Sequence, residues 1–239
     1  MTRAVILAAG DGGRLGEHTA QTPKPLVSLE GRRIIDFTLD ALAAGGVKDA
    51  LLVVGYRADQ IVEALAEAPT SVKLTFVEND RFHGGASLSL RAARAAVGNE
   101  PFLLLMADHL LSLPIISRLL SAPRSERMSL IATDASPWPE TYIGEATRVA
   151  LAPGTSTVAA IGKGLEPWDG LDTGAFLLAP SVWEAVDAVN EDCELSLIFS
   201  VLAARGELEA VDVSGAAWYD VDTAEDLAAA RRMVAGGAR

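Results

Sequence analysis

The stretch LAAGDGGRLG, Leu7 to Gly16, places four glycines and Arg14 directly after an apolar run. Glycine backbone approaches an anion closely and adopts φ > 0, so several N–H groups can converge on its oxygens. Lys24 follows between Pro23 and Pro25, which fix the backbone around it. The run suits a phosphate held by backbone N–H groups, Arg14 and Lys24; a flexible turn with solvated charges is the alternative. Acids recur later in the chain. Asp108 ends the wholly apolar Phe102–Ala107, and Asp220 and Asp222 lie in WYDVDTAEDL, Trp218 to Leu227. A carboxylate at a strand end suits Mg²⁺, which takes one or two of them and completes its octahedron with water and substrate oxygen. Asp108 could instead cap a helix, but Ser112, just before Leu113-Pro114, is better placed for that. Asp222 with Glu225 reads as a capping pair ahead of Leu227, a role compatible with metal binding, and Asp220 is the competing ligand.

Two common phosphate signatures fail on counting. A Walker A loop begun at Gly10 would need Gly-Lys where Leu15-Gly16 stand. A dinucleotide fingerprint fits Gly10 and Gly12 but meets Leu15 in its third place, and the second strand ends Gly55-Tyr56-Arg57 where an acid is required. No G-x-S-x-G elbow is present. His18, His83 and His109 lack metal-ligand spacing and read as packed or solvated, although His109 follows Asp108 and could reach a ligand. Cys193 is the single cysteine and reads as a packing residue.

These residues need elements that bring them to one edge. Ala4–Ala9, Ala50–Gly55, Val72–Val77, Phe102–Ala107, Met128–Thr133 and Gly174–Leu178 read as strands, several apolar without alternation as for strands covered on both faces. Arg33–Ala44, Ala58–Ala66, Ala86–Val97 and Leu113–Leu120 have helical spacing, with Gly45 stopping the first. Such alternation predicts a mainly parallel sheet between helices, with ligands at the carboxyl ends of its strands. From Asp134 to Leu171 prolines and short strand-like pieces (Thr147–Leu151, Thr157–Ile161) suggest an inserted β-rich lobe. Its Trp138, Tyr142 and Trp168 line a pocket or pack the lobe onto the sheet. Helices at Ser181–Val189 and Leu195–Ala204, a strand region near Val211–Tyr219 and a helix at Thr223–Val234 complete one compact domain spanning residues 1–239.

At 239 residues, half of them hydrophobic, the chain can bury a large core. No apolar run approaches the roughly 18–20 residues that cross a bilayer, and no secretory signal pattern opens the chain, so a cytoplasmic protein is expected. The net charge of -12 opposes general binding to nucleic acid or anionic membrane. Residues 1–33 are nevertheless net positive, with five basic side chains against three acids, consistent with a local anion site.

Taken together, LAAGDGGRLG, PKPL (Pro23–Leu26), MADH (Met106–His109), IGK (Ile161–Lys163), DTG (Asp172–Gly174) and DVDTAEDL (Asp220–Leu227) resemble the nucleotidyltransferases that activate sugar phosphates and phospho-alcohols. With GGASLSL (Gly84–Leu90), the resemblance is greatest to CTP:inositol-1-phosphate cytidylyltransferases and to related phosphocholine and phosphonate cytidylyltransferases. It implies a GT-A-like, Rossmann-type three-layer αβα sandwich with a small acceptor lobe at about 134–171. The implied reaction joins CTP to a phosphorylated polyol or small phospho-alcohol, inositol 1-phosphate first, giving a CDP-alcohol and pyrophosphate with Mg²⁺. By position, the backbone of Leu7, Ala8, Ala9, Gly10 and Gly12 would hold the nucleotide, and Arg14 and Lys24 its phosphates. Gly84, Gly85 and Ser87 would flank the base, and Asp108 and Asp222 would hold the metal. Lys163, Asp172 and Thr173 would face the acceptor. Relatives often carry asparagine where Gly85 stands, so that base contact is absent here. The alternatives are a sugar-1-phosphate nucleotidyltransferase using UTP or another NTP, and a nucleotide-sensing subunit without turnover.

Overall fold

The computed structural model describes residues 2–66, 70–137 and 146–236. Strand β1 (Arg3–Ala8) leads into two 3-10 turns, Gly13–His18 and Lys24–Leu26, and a short hairpin of β2 (Ser28–Leu29) and β3 (Arg32–Arg33). Alternation follows through α1 (Ile34–Ala44), β4 (Asp49–Val54), α2 (Ala58–Ala66), β5 (Lys73–Glu78), α3 (Ala86–Val97) and β6 (Phe102–Met106). Next come β7 (His109–Leu111), α4 (Leu113–Ser121), β8 (Ser129–Asp134), β9 (Arg148–Leu151), β10 (Val158–Gly162) and β11 (Gly170–Leu178). The chain then forms α5 (Val182–Asp187), α6 (Leu195–Ala204), β12 (Leu208–Asp212), β13 (Trp218–Asp220) and α7 (Ala224–Ala235).

The parallel half of the main sheet runs β5-β4-β1-β6. Its interior strands are apolar at nearly every position because both faces are covered. Along β1 and its next residue, Ala4, Ile6 and Ala8 join a core with α1, α2 and α4, while Val5, Leu7 and Ala9 join a second core with α3, α5 and α6. Three layers result, and burying each Leu or Ile contributes about 1.5–3 kcal/mol. Leu7 pairs with Val53 on one side and Met106 on the other, so the glycine loop and Asp108 leave the sheet at the same carboxyl edge.

The other half is antiparallel around β11, which pairs with β6, β8 and β9, while β12 adds to β8 in parallel. The described part of 134–171 carries the expected β-rich pieces: β9 and β10 form a hairpin and β9 pairs with the start of β11, so this segment extends the main sheet. Trp168 packs against the core beneath α1 and α4, and Trp138 and Tyr142 lie outside the described residues. The single strand region at Val211–Tyr219 is two strands in different sheets. A turn closed by the Ala216 N–H donating to Val213 O (2.9 Å) separates β12 from β13, which pairs with β7.

A third, smaller core joins Leu15 of the glycine loop to Leu29, Ile34, Leu110, Val221, Leu227 and Ala230. Leu15 therefore serves as an apolar anchor for a loop that otherwise has little to bury. No helix among the described residues is long and apolar enough to cross a membrane.

Candidate active site

Three segments meet at the carboxyl edge. Asp108 leaves β6, the β7–β13 pairing places Asp220 opposite His109, and the Val221 N–H donates to Asp108 O (3.2 Å). That short ribbon, whose β7 half has no strand pattern of its own in the sequence, brings Asp220 and Asp222 beside Asp108. The third segment is the turn at Lys24–Leu26, entered from Pro23 in an extended conformation.

Lys24 is the hub. Its Nζ lies 2.8 Å from Asp108 Oδ2 and 2.7 Å from Asp222 Oδ1, with the side chain only 8% exposed. Arg14, 61% exposed, reaches the second oxygen of Asp222 at 2.7 Å. Burial pulls the Lys24 ammonium down, but Asp108, Asp220 and Asp222 outweigh it and hold the group above its ordinary value. Burial pushes Asp108 up, yet Lys24 and His109 keep it well below the usual carboxylate range. Gly12 makes the close approach possible. It sits at φ 64, and a Cβ there would lie 2.9 Å from the Lys24 Cβ.

Two cavities share this cluster. One, about 380 Å³, is lined by Leu7, Ala8, the backbone from Gly10 to Gly13, Pro25 and Ala107. The other, about 510 Å³, takes in His109, Lys163, Asp172, Glu194, Phe199 and Trp218. Arg14, Asp108 and Asp222 line both, so a ligand in either cavity ends at the same carboxylates.

The donor set suits a hard cation. Two carboxylates already converge on one positive atom, Lys24 Nζ, and Asp220 offers a buried Oδ1 with no hydrogen-bond partner. Oxygen donors of this kind match the preference of Mg²⁺. A second grouping, Asp108, His109 and Asp220, brings ligand atoms within 4.8 Å of one another.

Other sequence expectations are placed differently. Asp222 is not the helix cap. Thr223 caps α7 and Asp226 closes the box, with the Asp226 N–H donating to Thr223 Oγ1 (3.2 Å) and the Thr223 N–H to Asp226 Oδ2 (2.8 Å). The Thr-x-x-Asp spacing one residue on was the signal for it. Ser87 is fully buried; its hydroxyl donates to Glu191 O (2.8 Å) and accepts from the Cys193 N–H (2.9 Å). The Gly85 N–H donates to the Asp192 carboxylate, and a Cβ at Gly85 would collide with the Cys193 carbonyl. Gly85 and Ser87 thus hold the segment before α6, Gly84 leaves room for Asp192 in it, and asparagine does not fit at Gly85 without moving it. Thr173 is likewise buried, its hydroxyl donating to Ala132 O (3.0 Å), so that hydroxyl faces the sheet rather than an acceptor. Asp172 lines the larger cavity and accepts from the Gly174 N–H (2.8 Å), while burial pushes it up to about 6 despite that bond. Lys163 is exposed at the rim of the same cavity.

A family model described as a MobA-like NTP transferase domain matches residues 4–159. The chain belongs to that family. A bifunctional IPC transferase and DIPP synthase from Rubrobacter xylanophilus is 36% identical over 98% of this chain, and the match spans 52% of that relative. This NTP transferase chain thus spans about half the length of the curated relatives it matches. Among solved structures, the inositol-1-phosphate CTP transferase from T. maritima superposes with a TM-score of 0.85 at 22% identity, covering 100% of this chain and 98% of that one. A UDP-glucose pyrophosphorylase complexed with UDP-glucose gives 0.84 at 16% identity, covering 99% of each chain. Both likenesses establish the GT-A-like, Rossmann-type fold.

The transferase site also contains His109, which the sequence left as packed or solvated, with a ligand contact open only because it follows Asp108. The His109 Nδ1 lies 2.8 Å from Asp108 Oδ1 and 3.6 Å from Asp220 Oδ1. Burial pulls the imidazole down, but Asp220 and then Asp108 outweigh burial and the opposing Lys24 charge, holding it at about 9. Burial likewise holds Asp220 up at about 6, only partly countered by His109. A His109 value raised above the unfolded 6.5 contributes stability that is complete below pH 6.5 and lost as pH rises through about 9. The thermal midpoint of chelator-treated protein should therefore fall across that window, and His109→Gln should remove this part of the fall. A slope unchanged in the variant would show that His109 does not carry it.

Proposed function

We propose that the chain is a cytidylyltransferase that joins CTP to a phosphorylated polyol or small phospho-alcohol, with inositol 1-phosphate the first acceptor to test. The observation that carries this reading is the pair of cavities meeting at Asp108 and Asp222 with Lys24 between them. Names of the relatives, IPC transferase and inositol-1-phosphate CTP transferase, support the choice of CTP and of this acceptor class.

In this reading an acceptor phosphate oxygen attacks the α-phosphorus of the triphosphate. The P–O bond to pyrophosphate breaks and a new phosphoanhydride forms. A phosphate oxygen is already nucleophilic near neutral pH, so no side chain has to remove a proton. The residues instead align two anions that repel one another and stabilise charge on the departing pyrophosphate. The glycine backbone from Gly10 to Gly13 donates to the nucleotide. Arg14 and Lys24 face the leaving group, and Lys163 draws the acceptor phosphate into the larger cavity. Asp172 accepts from an acceptor hydroxyl. Asp108 and Asp222, with Asp220 next to them, would hold Mg²⁺, which when bound screens the phosphate charges and polarises their oxygens.

The test is pyrophosphate release from each of the four NTPs with inositol 1-phosphate, phosphocholine, glycerol 3-phosphate, a hydroxyalkylphosphonate and glucose 1-phosphate. Turnover with CTP and a phospho-alcohol is the expected result. Turnover confined to UTP and a sugar 1-phosphate would replace the substrate class, and no release with any pair would favour a nucleotide-sensing role.

A further inference from the structure

Arg57 occupies the tip of the second parallel strand, where dinucleotide-binding folds have an acid. It lines neither cavity. Its backbone is left-handed at φ 51, a conformation that strains a residue with a side chain. Something must hold it there. The guanidinium donates from NH2 to Ala20 O (2.7 Å), from NH1 to Gln21 O (3.2 Å) and from Nε to the Tyr56 hydroxyl (3.0 Å). The neighbouring Tyr56 N–H donates to Ala9 O (2.9 Å).

Ala9 and Gln21 are the two ends of the phosphate loop. Between them, Thr19 ties the loop only to itself, its hydroxyl donating to Gly12 O (3.0 Å) and its N–H to Gly16 O (3.2 Å), while Leu15 is its buried anchor. We propose that the Tyr56–Arg57 turn is a clamp on this loop and that Arg57 is a positioning residue for triphosphate binding. Tyr56 fixes where the loop starts, and Arg57 fixes where it ends, two residues before Pro23 and three before Lys24. Arg57 touches no substrate; it sets where Arg14 and Lys24 stand when the triphosphate arrives. Preorganisation of this kind improves affinity by reducing the ordering cost of binding. This inference rests on the nucleotidyltransferase reading for its kinetic part and on geometry alone for its structural part.

Arg57→Gly separates the two. Glycine adopts φ 51 without strain, and that relief partly offsets the lost guanidinium hydrogen bonds and the greater freedom of the unfolded chain, so the thermal midpoint should fall by about 3 °C at most. The clamp, however, is lost. Hydrogen exchange of amides 13–22 in the full chain without substrate should speed up about tenfold, with strands β1, β4 and β6 unchanged. The KM for the NTP should rise about tenfold while the KM for the acceptor stays within about twofold, and Arg57→Lys should recover part of the change. Loop exchange within about twofold of wild type, or faster exchange throughout the sheet with a midpoint lower by more than about 3 °C, would overturn the clamp. An equal rise in both KM values would overturn its role in triphosphate binding. If the wild-type chain releases no pyrophosphate with any substrate pair, the functional reading fails and hydrogen exchange alone decides the clamp.

Discussion

Asp108→Asn should reduce turnover by at least about a thousandfold while leaving the fold intact, because the lost group is charge rather than shape. The carboxylate of Asp108 meets Lys24 through one oxygen and His109 through the other, and it lines both cavities. An amide in its place keeps the size but is neutral, so the positive charge of Lys24 is left to Asp222, and one of the two convergent acids no longer attracts a cation. The fold does not depend on that carboxylate. The strand leading to it is held by β1 and β11, and the Asp108 carbonyl keeps the Val221 N–H. Pyrophosphate release and a thermal melt, run side by side, check this. Near-normal turnover would remove Asp108 from the mechanism, and a collapsed melting transition would make its role structural.

The parallel half of the fold was legible because burial on both faces removes alternation and leaves short apolar runs between helical patterns. Ala58–Ala66 and Ala86–Val97 match the expected helices residue for residue, since Gly85 and Gly98 bracket the latter and its period is strong. What escaped was structure made by distant pairing. His109–Leu111 is three residues long and is a strand only because Trp218–Asp220 lies against it. No local pattern announces such a ribbon, yet it decides how close Asp220 comes to His109. The site followed the same division. Arg14, Lys24, Asp108 and Asp222 were readable as charge types at strand ends and in a rigid turn, and the fold brings them together. Side-chain direction was not readable: Ser87 and Thr173 both lie within two residues of a glycine in promising motifs, and both hydroxyls turn inward to bond protein carbonyls.

Lys24→Met should lower turnover about a hundred- to a thousandfold and also destabilise the metal-free protein. Methionine keeps an unbranched chain of similar reach, so packing against Gly12 is largely preserved and the change isolates the charge. Without the ammonium, Asp108 and Asp222 face one another with only His109 and the exposed Arg14 as counter-charges. Removing one member of a buried ion pair costs about 3–5 kcal/mol, but these carboxylates are 28% and 21% exposed, so about 1–3 kcal/mol is expected. The sign of the pH dependence follows from Asp108. Its folded value is depressed, so its contribution is present above the unfolded carboxylate range and is lost as pH falls through that range toward the lower folded value. Lys24 is the largest opposing influence that produces the depression. The acid-side loss of stability in chelator-treated protein should therefore be shallower in Lys24→Met, while added Mg²⁺ should stabilise the variant more than wild type, since the two carboxylates then have no internal competitor. Wild-type stability and an unchanged acid limb would mean that Lys24 does not hold the carboxylates together, and turnover within about tenfold of wild type would remove it from charge stabilisation on the leaving group.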